Sequence, residues 1–333
     1  MLHCIIPSII NLELTNKCNI NCIFCDRPVL KRSMKMGDMD ENLLISILES
    51  VKNNKIYELG LVGLGEPLLD KNLERHLSVI NDYSQCFTRI SINTNGILMD
   101  EGKSNTIIHS RINLVTFSLN ATNRSSYEKI MGADCFDLVV NNIKRFVSLL
   151  KHHKRSDLNV SIQFVSSDLN DENEMNALFK DEISSSVVVY NRFLFDKPSI
   201  STRNKGMTNI KNSTVDKRYP CWSLYSRVYI DINGNLYPCT IGNDCYREKS
   251  NLNLGNVRNQ SVVNIFNDKK IRSARNMSVK DEIPFLECGE CTAWCLFPNN
   301  FYYKDNRWIC SGRGQIRMKK LDRVGGLIWK INL

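Results

Sequence analysis

The sequence predicts an α/β fold: a partial, open (β/α)6 barrel followed by a small C-terminal module of β-hairpin and loops. Three observations predict it. Short β-rich runs alternate with helical patterns over the first two-thirds of the 333 residues. A polar stretch at 198–219, rich in Ser, Thr, Asn and Lys, then interrupts the alternation. The 13 cysteines, finally, are concentrated toward the two ends. The expected division is 1–197 for the barrel, 198–219 for a linker, and 220–333 for the module and tail.

Strands are expected at 9–15, 57–63, 88–93, 113–120, 159–165 and 187–195, and helices at 40–52, 71–82, 103–110, 136–151 and 172–181. The first helix opens on Asp40 as N-cap and repeats Leu43, Leu44, Ile47, Leu48 and Val51 at helical spacing. Strands joined by helices run parallel, because each connection must cross the sheet. Six units fall short of a closed eight-fold barrel, and in such folds chemistry sits at the carboxyl ends of the strands. Beyond the linker, 227–232 and 235–237 flank Asn233-Gly234 and read as a hairpin with a two-residue turn. A helix is expected at 261–275. Residues 288–310 have little room for an apolar core, so a metal is the expected staple.

The formal charge is +9, from 44 basic and 35 acidic residues. The basic clusters, Lys31-Arg32 and 151–155, have no interleaved aromatic residues, which argues against nucleic acid as a partner. A solvated face, or a surface for an acidic protein, suits them better. No apolar run approaches the roughly 18 residues of a membrane span. The start lacks a basic region and a cleavage site, so no signal peptide is expected. The expectation is a cytoplasmic chain without a membrane partner. Thirteen cysteines there point to metal or redox chemistry rather than to disulfides.

Cys18, Cys22 and Cys25 form a C-x3-C-x2-C run just after the first strand, at the expected mouth. Three thiolates converging on one point suit a metal. Two readings stand: an iron–sulfur cube held by three cysteines with one iron open, or a zinc site with its fourth ligand elsewhere. Gly63-Leu64-Gly65-Glu66-Pro67 follows the second strand and Asn93-Thr94-Asn95-Gly96 the third, while Ser118-Leu119-Asn120 closes the fourth. The glycines would let backbone approach a ligand, and Glu66 suits an ammonium group. Each stretch also reads as an ordinary turn.

In this order the motifs resemble the radical S-adenosylmethionine (SAM) superfamily, with Phe24 before the last cysteine and Gly63 to Pro67 as its Gly-Gly-Glu-Pro motif. The resemblance covers about the first 195 residues and implies a TIM-like radical SAM barrel. It implies that Cys18, Cys22 and Cys25 hold a [4Fe–4S] cluster whose open iron chelates SAM. Gly65 and Glu66 would meet the methionine amine, Phe24 the adenine, Ser118 the ribose, and Val165 the adenine edge, with Gly63 and Pro67 in the same cofactor-binding motif. Asn95 and Asn120 complete the expected cofactor set. Many relatives carry an Arg beyond the Ser118 position; here that region reads Glu128-Lys129-Ile130-Met131-Gly132. The chemistry implied is reductive cleavage of SAM to a 5′-deoxyadenosyl radical that abstracts hydrogen from a C–H bond, fed by a flavodoxin- or ferredoxin-type reductant.

The late cysteines resemble SPASM and twitch extensions, which hold auxiliary iron–sulfur clusters. Cys221, Cys239, Cys288 and Cys291 are the expected ligands of one [4Fe–4S] cluster, close to the one-cluster twitch arrangement. Cys245, Cys295 and Cys310 would serve a second. A structural zinc ribbon is the alternative. With the tri-Cys loop so early, no peptide-recognition domain is expected before it, which favours a small-molecule substrate, a sugar- or aminocyclitol-like alcohol. The outcome would be dehydrogenation, or epimerisation with Cys245 or Cys310 as hydrogen donor. The second class is a peptide maturase, forming crosslinks or epimers or acting like a sulfatase-maturing enzyme. The third is a non-catalytic iron–sulfur or zinc protein.

Overall fold

The computed structural model describes residues 6–31, 34–165, 172–192, 220–239, 251–289, 291, 301–304 and 307–310. Among these, β1 (Ile9–Leu12), β2 (Ile56–Leu61), β3 (Phe87–Thr94), β4 (Leu114–Ser118), β5 (Asn159–Val165) and β6 (Val187–Arg192) run parallel, each paired with the next. Helices make every crossover. α1 (Arg27–Leu30) and α2 (Glu41–Glu49) follow β1, α3 (Leu73–Asp82) follows β2, and α4 (Glu101–His109) follows β3. α5 (Arg124–Met131) and α6 (Phe136–His152) follow β4, and α7 (Glu172–Leu178) follows β5. α8 (Ser223–Ser226) then leads into β7 (Arg227–Ile230), which pairs parallel with β1, from Ile9↔Arg227 to Leu12↔Ile230. β8 (Asn235–Tyr237) and β9 (Gly255–Asn256) add antiparallel strands, so the sheet stays open in the order β6-β5-β4-β3-β2-β1-β7-β8-β9. α9 (Val262–Phe266) and α10 (Lys269–Val279) follow, and β10 (Phe301–Lys304) and β11 (Arg307–Cys310) form a separate antiparallel pair. No helix among the described residues is long and apolar enough to cross a membrane.

The sheet has two unlike faces, because successive side chains point to opposite sides. One face carries Ile10, Leu12, Leu59, Leu61, Ile90, Ile92, Val115, Phe117, Ile162 and Phe164, all buried in the main core with the helices. The other is polar. Register puts Asn11, Gly60 and Ser91 in one row and Ser118, Gln163 and Tyr190 in another. Within it, Ser91 Oγ donates to Glu58 Oε1 at 2.7 Å, and Tyr190 OH donates to Gln163 Oε1 at 2.7 Å. This polar row ends at the carboxyl edge of the strands, where the Cys18–Cys25 loop emerges.

Three local readings differ from the structure. The 261–275 helix is broken: Asp268 turns extended and caps Lys269 N, starting α10 afresh. The hairpin turn spans Ile232-Asn233-Gly234, with Gly234 N donating to Asp231 O at 3.0 Å. Only Gly234 there has a positive φ, +86°, whereas a two-residue type I′ turn requires two such residues. α5 was absent from the sequence pattern, since it is only two turns long and its apolar buried residues are just Tyr127, Ile130 and Met131. Its cap was nonetheless written in the chain: Asn123 and Ser126 form a reciprocal capping box, and Gly132 closes the helix at φ +69°. Strand β7 joins β1 by hydrogen bonds, so the C-terminal module extends the barrel's own sheet. The expected linker, 198–219, lies outside the described residues.

α6 shows what holds the layers together. Phe136, Val139, Val140, Ile143, Phe146, Val147 and Leu150 repeat at three- and four-residue spacing and are buried. Phe146 is fully buried and meets Phe117 edge-on at 5.6 Å between centroids. Phe146→Ala is expected to cost about 3–5 kcal/mol. Urea unfolding checks this: the midpoint falls with little change in the slope.

Candidate active site

The tri-Cys loop is fixed by the residues on either side of it. Thr15 Oγ1 donates to Gly37 O at 3.0 Å, and Gly37 N donates to Asn16 Oδ1 at 2.8 Å. The buried Arg27 donates from Nε to Asn16 O at 3.0 Å, and Lys17 pairs with Asp38 at 2.7 Å. From the far side, Asn95 Nδ2 donates to Asn19 Oδ1 at 2.7 Å. The loop rests on the end of α5: Ile23 N donates to Ile130 O at 2.9 Å, and the Cys22 thiol donates to Met131 Sδ at 3.8 Å. A Cβ on Gly132 would lie 2.8 Å from Asn21 O. The region where many relatives carry an Arg is here the seat of the loop.

Cys18, Cys22 and Cys25 are half-buried. Burial pushes the Cys18 thiol up; the charges of Glu66 and Cys25 push the same way, and Arg27 opposes them. The Cys18 thiol therefore holds its proton until a metal displaces it. Among the described residues no three His, Cys, Asp or Glu groups are gathered closely enough for a single ion. A cluster asks for something different, because each cysteine ligates its own iron. Three thiols on one pinned loop, with a buried cation beside them, fit an iron–sulfur cluster.

The Gly-Glu-Pro turn is built against this loop. A Cβ on Gly65 would fall 1.9 Å from Thr15 O and 2.8 Å from Lys17 O, so glycine is required there. Glu66 N donates to Lys17 O at 2.7 Å. Gly63 lies against Glu13, whose Oε1 accepts from Leu64 N at 2.8 Å. The close approach that both glycines allow is thus to the chain's own β1 exit. Glu66 is 3% exposed, and its carboxylate accepts from Thr94 Oγ1 at 2.7 Å, Asn95 N at 2.7 Å and Leu68 N at 3.1 Å. Burial pushes its pKa up to about 7, against the lowering effect of those three donors. Pro67 is buried at the same turn.

Ser118 is half-exposed at the end of β4 and neighbours Gln163 in register. Asn120 is buried with φ +62°; its N donates to Gln163 O at 2.9 Å and its Nδ2 to Met131 Sδ at 3.4 Å. Asn120 so joins the strand exits to α5. Val165 is buried at the end of β5, and Phe24 packs partly buried against the core. The structure adds Glu13, Asn16, Arg27, Tyr127 and Met131 to the site. Asn16 and Arg27 flank the cysteine run in sequence; the others carry no local signal.

Of the late cysteines, Cys221, Cys239, Cys288 and Cys291 are described and half-buried. Cys221 precedes α8, which is tied to α10: Arg275 Nε donates to Leu224 O at 2.8 Å, and Tyr225 OH donates to Arg275 O at 3.1 Å. Cys239 closes the exit of β8. Cys291 N donates to Cys288 O at 3.4 Å, setting that pair on one turn. Cys245 and Cys295 lie outside the described residues, and of Cys310 the backbone alone is described, at the end of β11.

Glu66 makes stability depend on pH. The folded chain holds this proton more tightly than the unfolded chain, whose carboxyl titrates near 4.5. Its contribution is full below about pH 4.5 and is lost as pH rises to about 7. In the metal-free protein, Glu66→Gln is expected to flatten the decline of the melting temperature across that window. It should also lower stability by about 1–3 kcal/mol, because the amide cannot accept all three bonds. Thermal unfolding of both proteins from pH 4 to 8 tests the two effects together.

Residues 12–166 match the radical SAM superfamily, and residues 221–292 match SPASM, an iron–sulfur cluster-binding domain. An uncharacterized protein of Methanocaldococcus jannaschii is 32% identical over 136 residues, 40% of this chain and 42% of that protein. A probable GTP 3′,8-cyclase of Saccharolobus islandicus is 27% identical over 147 residues, 42% of this chain and 44% of that protein. The chain thus spans less than half the length of these curated relatives. Among solved structures, BtrN in complex with AdoMet and 2-DOIA has a TM-score of 0.55 at 20% identity, over 86% of this chain and 93% of that one. Streptococcus suis SuiB bound to precursor peptide SuiA has a TM-score of 0.59 at 15% identity, over 80% and 65%. Native anSMEcpe with bound AdoMet and Cp18Cys peptide has 0.57 at 19%, over 82% and 83%. These likenesses show the fold. The two matched domains imply SAM, a [4Fe–4S] cluster and auxiliary iron–sulfur clusters as cofactors. The chain carries an N-terminal domain of the radical SAM superfamily and a C-terminal SPASM domain.

Proposed function

We propose that the protein is a radical SAM oxidoreductase acting on a small hydroxylated molecule, of the sugar or aminocyclitol kind. The observation that carries this reading is the polar inner face of the sheet. Asn93, Thr116, Ser118, Gln163 and Tyr190 line up toward the carboxyl edge, offering hydroxyl and amide groups. Such groups match the hydrogen bonds of an alcohol-rich ligand. The likeness to BtrN, in complex with AdoMet and 2-DOIA, supports the same class.

Cys18, Cys22 and Cys25 would hold the N-terminal cluster, and Cys221, Cys239, Cys288 and Cys291 an auxiliary one. When bound, the first supplies an electron to SAM for hydrogen abstraction, and the second takes the electron left by substrate oxidation. The residues of the chain do the rest. Gly63 to Pro67 and Asn95 shape the mouth beside the loop, Ser118 and Val165 border it, and the β4–β6 exits present the polar row to a substrate. A flavodoxin- or ferredoxin-type protein is the proposed reductant. The barrel is proposed to end near 197 and the auxiliary-cluster domain to begin near 220.

A peptide-maturing activity is the second reading, favoured by the likeness to SuiB bound to precursor peptide SuiA and to anSMEcpe with a bound peptide. The test incubates the anaerobically reconstituted protein with SAM, dithionite and either cyclic amino-alcohols or short peptides. The expected result is 5′-deoxyadenosine above the substrate-free level with the alcohols, together with a carbonyl product. Stimulation by peptides alone overturns the small-molecule reading, and solvent deuterium in a redox-neutral product overturns dehydrogenation in favour of epimerisation.

The ligand assignment has its own check. Replacing Cys18, Cys22 and Cys25 by alanine is expected to lower the iron content by about four atoms per chain and to bring SAM cleavage to background. Replacing Cys221 and Cys288 should remove a similar amount of iron while leaving SAM cleavage without substrate intact. Bound zinc in place of that iron overturns the auxiliary cluster.

A further inference from the structure

Tyr127 lies on α5, one turn before Met131 and so on the same face of the helix. Its side chain is fully buried, with its ring edge-on to Phe136 at 5.9 Å between centroids. Its hydroxyl has no hydrogen-bond partner among the described residues. An unsatisfied buried hydroxyl is costly, so an interior that retains one calls for an acceptor that arrives later. Met131, one turn on along the same face, receives the Cys22 thiol, and besides burial the charges that act on the hydroxyl are those of Cys135, Cys22 and Glu66. Cys135 is the N-cap residue of α6, and Glu66 already accepts three bonds. Cys22 is the group whose role changes. As a thiol it donates to Met131 Sδ at 3.8 Å. To bind iron it must lose that proton and become a charged acceptor. The chain thus places a buried donor, with no acceptor among the described residues, on the helix face whose Met131 meets the Cys22 sulfur, and that sulfur becomes an acceptor on metal loading.

We propose that the Tyr127 hydroxyl donates to the Cys22 thiolate once that sulfur holds iron, and that this bond sets the electron affinity of the N-terminal cluster. The proposal rests on reading Cys18, Cys22 and Cys25 as cluster ligands. Tyr127 is then a positioning residue acting through Cys22. Hydrogen bonds to ligand sulfurs raise the reduction potential of an iron–sulfur cluster by stabilising its reduced form. They belong to the outer shell that tunes a metal site without touching the metal.

The test is Tyr127→Phe, which keeps the ring and removes the hydroxyl. The potential is followed by redox titration of the paramagnetic signal that changes when SAM is added, which isolates the N-terminal cluster from auxiliary ones. The expected result is a more negative midpoint potential than wild type. Replacing Tyr127 by 3-fluorotyrosine, a stronger donor, should shift it the opposite way. The metal-free Tyr127→Phe protein should melt at or above the wild-type temperature, since its hydroxyl bonds nothing there. Cys135→Ala should leave the potential unchanged. An unchanged potential in Tyr127→Phe, a lower melting temperature of its metal-free form, or a shift caused by Cys135→Ala would each overturn the proposal. A wild-type protein with no SAM-responsive iron–sulfur signal overturns the ligand reading beneath it, and so is told apart from these.

Discussion

The carboxylate of Glu66 is buried between the exits of β1 and β3, and the shape of the mouth follows from the cost of keeping it there. A carboxylate taken out of water without partners is strongly unfavourable. Three donors offset that cost here, from Thr94, Asn95 and Leu68. None of the three can move without exposing the others' acceptor. Asn95 passes the constraint on to Asn19 inside the cysteine loop, and the Glu66 N–H passes it to Lys17, one residue before Cys18. The cysteines are therefore placed by the fold before any metal arrives. Pre-organisation of this kind is what a site needs if its ligands come from a single loop rather than from rigid strands.

Much of this was legible in the sequence, for a physical reason. Cysteines crowded into one loop announce themselves by spacing, so Cys18, Cys22 and Cys25 could be singled out as candidate ligands without a fold. The helical repeat of α2 and the alternation of strand and helix were equally local, and β5 has the bounds that its pattern suggested. Gly63 to Pro67 was legible as a motif but not as a mechanical part. Its glycines are needed because β1 passes close behind them, and Glu13 reaches Leu64 across 51 residues. Met131 meets Cys22 across 109 residues, and no local pattern encodes such a contact. α5 was hidden because it is only two turns long and its apolar face is just Tyr127, Ile130 and Met131, although its capping box was present. The break at Asp268 shows the converse, a local cap overriding a continuous helical pattern.

The two faces of the sheet divide the work of the barrel. Apolar side chains toward the helices supply the burial that holds the layers together, so the other face is free to carry polar groups. That freedom has a limit, since buried polar atoms must find partners. Ser91 with Glu58 and Tyr190 with Gln163 satisfy one another across neighbouring strands. Near the carboxyl edge such pairing orients donors and acceptors instead of leaving them to rotate. The amide of Gln163 is held through its oxygen by Tyr190, which turns its N–H groups away from that bond.

The pairing of β7 with β1 makes the strand that leads to the tri-Cys loop an interior strand of the sheet. An edge strand has one row of backbone groups unpaired and yields easily. β1 instead has β2 on one side and β7 on the other, each matched to the same four residues, Ile9 to Leu12. The ladder with β7 continues into the exit, where Glu13 N donates to Ile230 O at 3.0 Å. Past Ile230 the chain turns through Asp231, a buried carboxylate bonded to Asn233, Asn235 and Tyr237, and returns as β8 toward Cys239. The strand that leads to the tri-Cys loop is thus clamped by the hairpin that leads to an expected auxiliary ligand. Four residues of shared ladder join the two segments, and the SPASM domain contributes a strand to the barrel's sheet on the free side of β1.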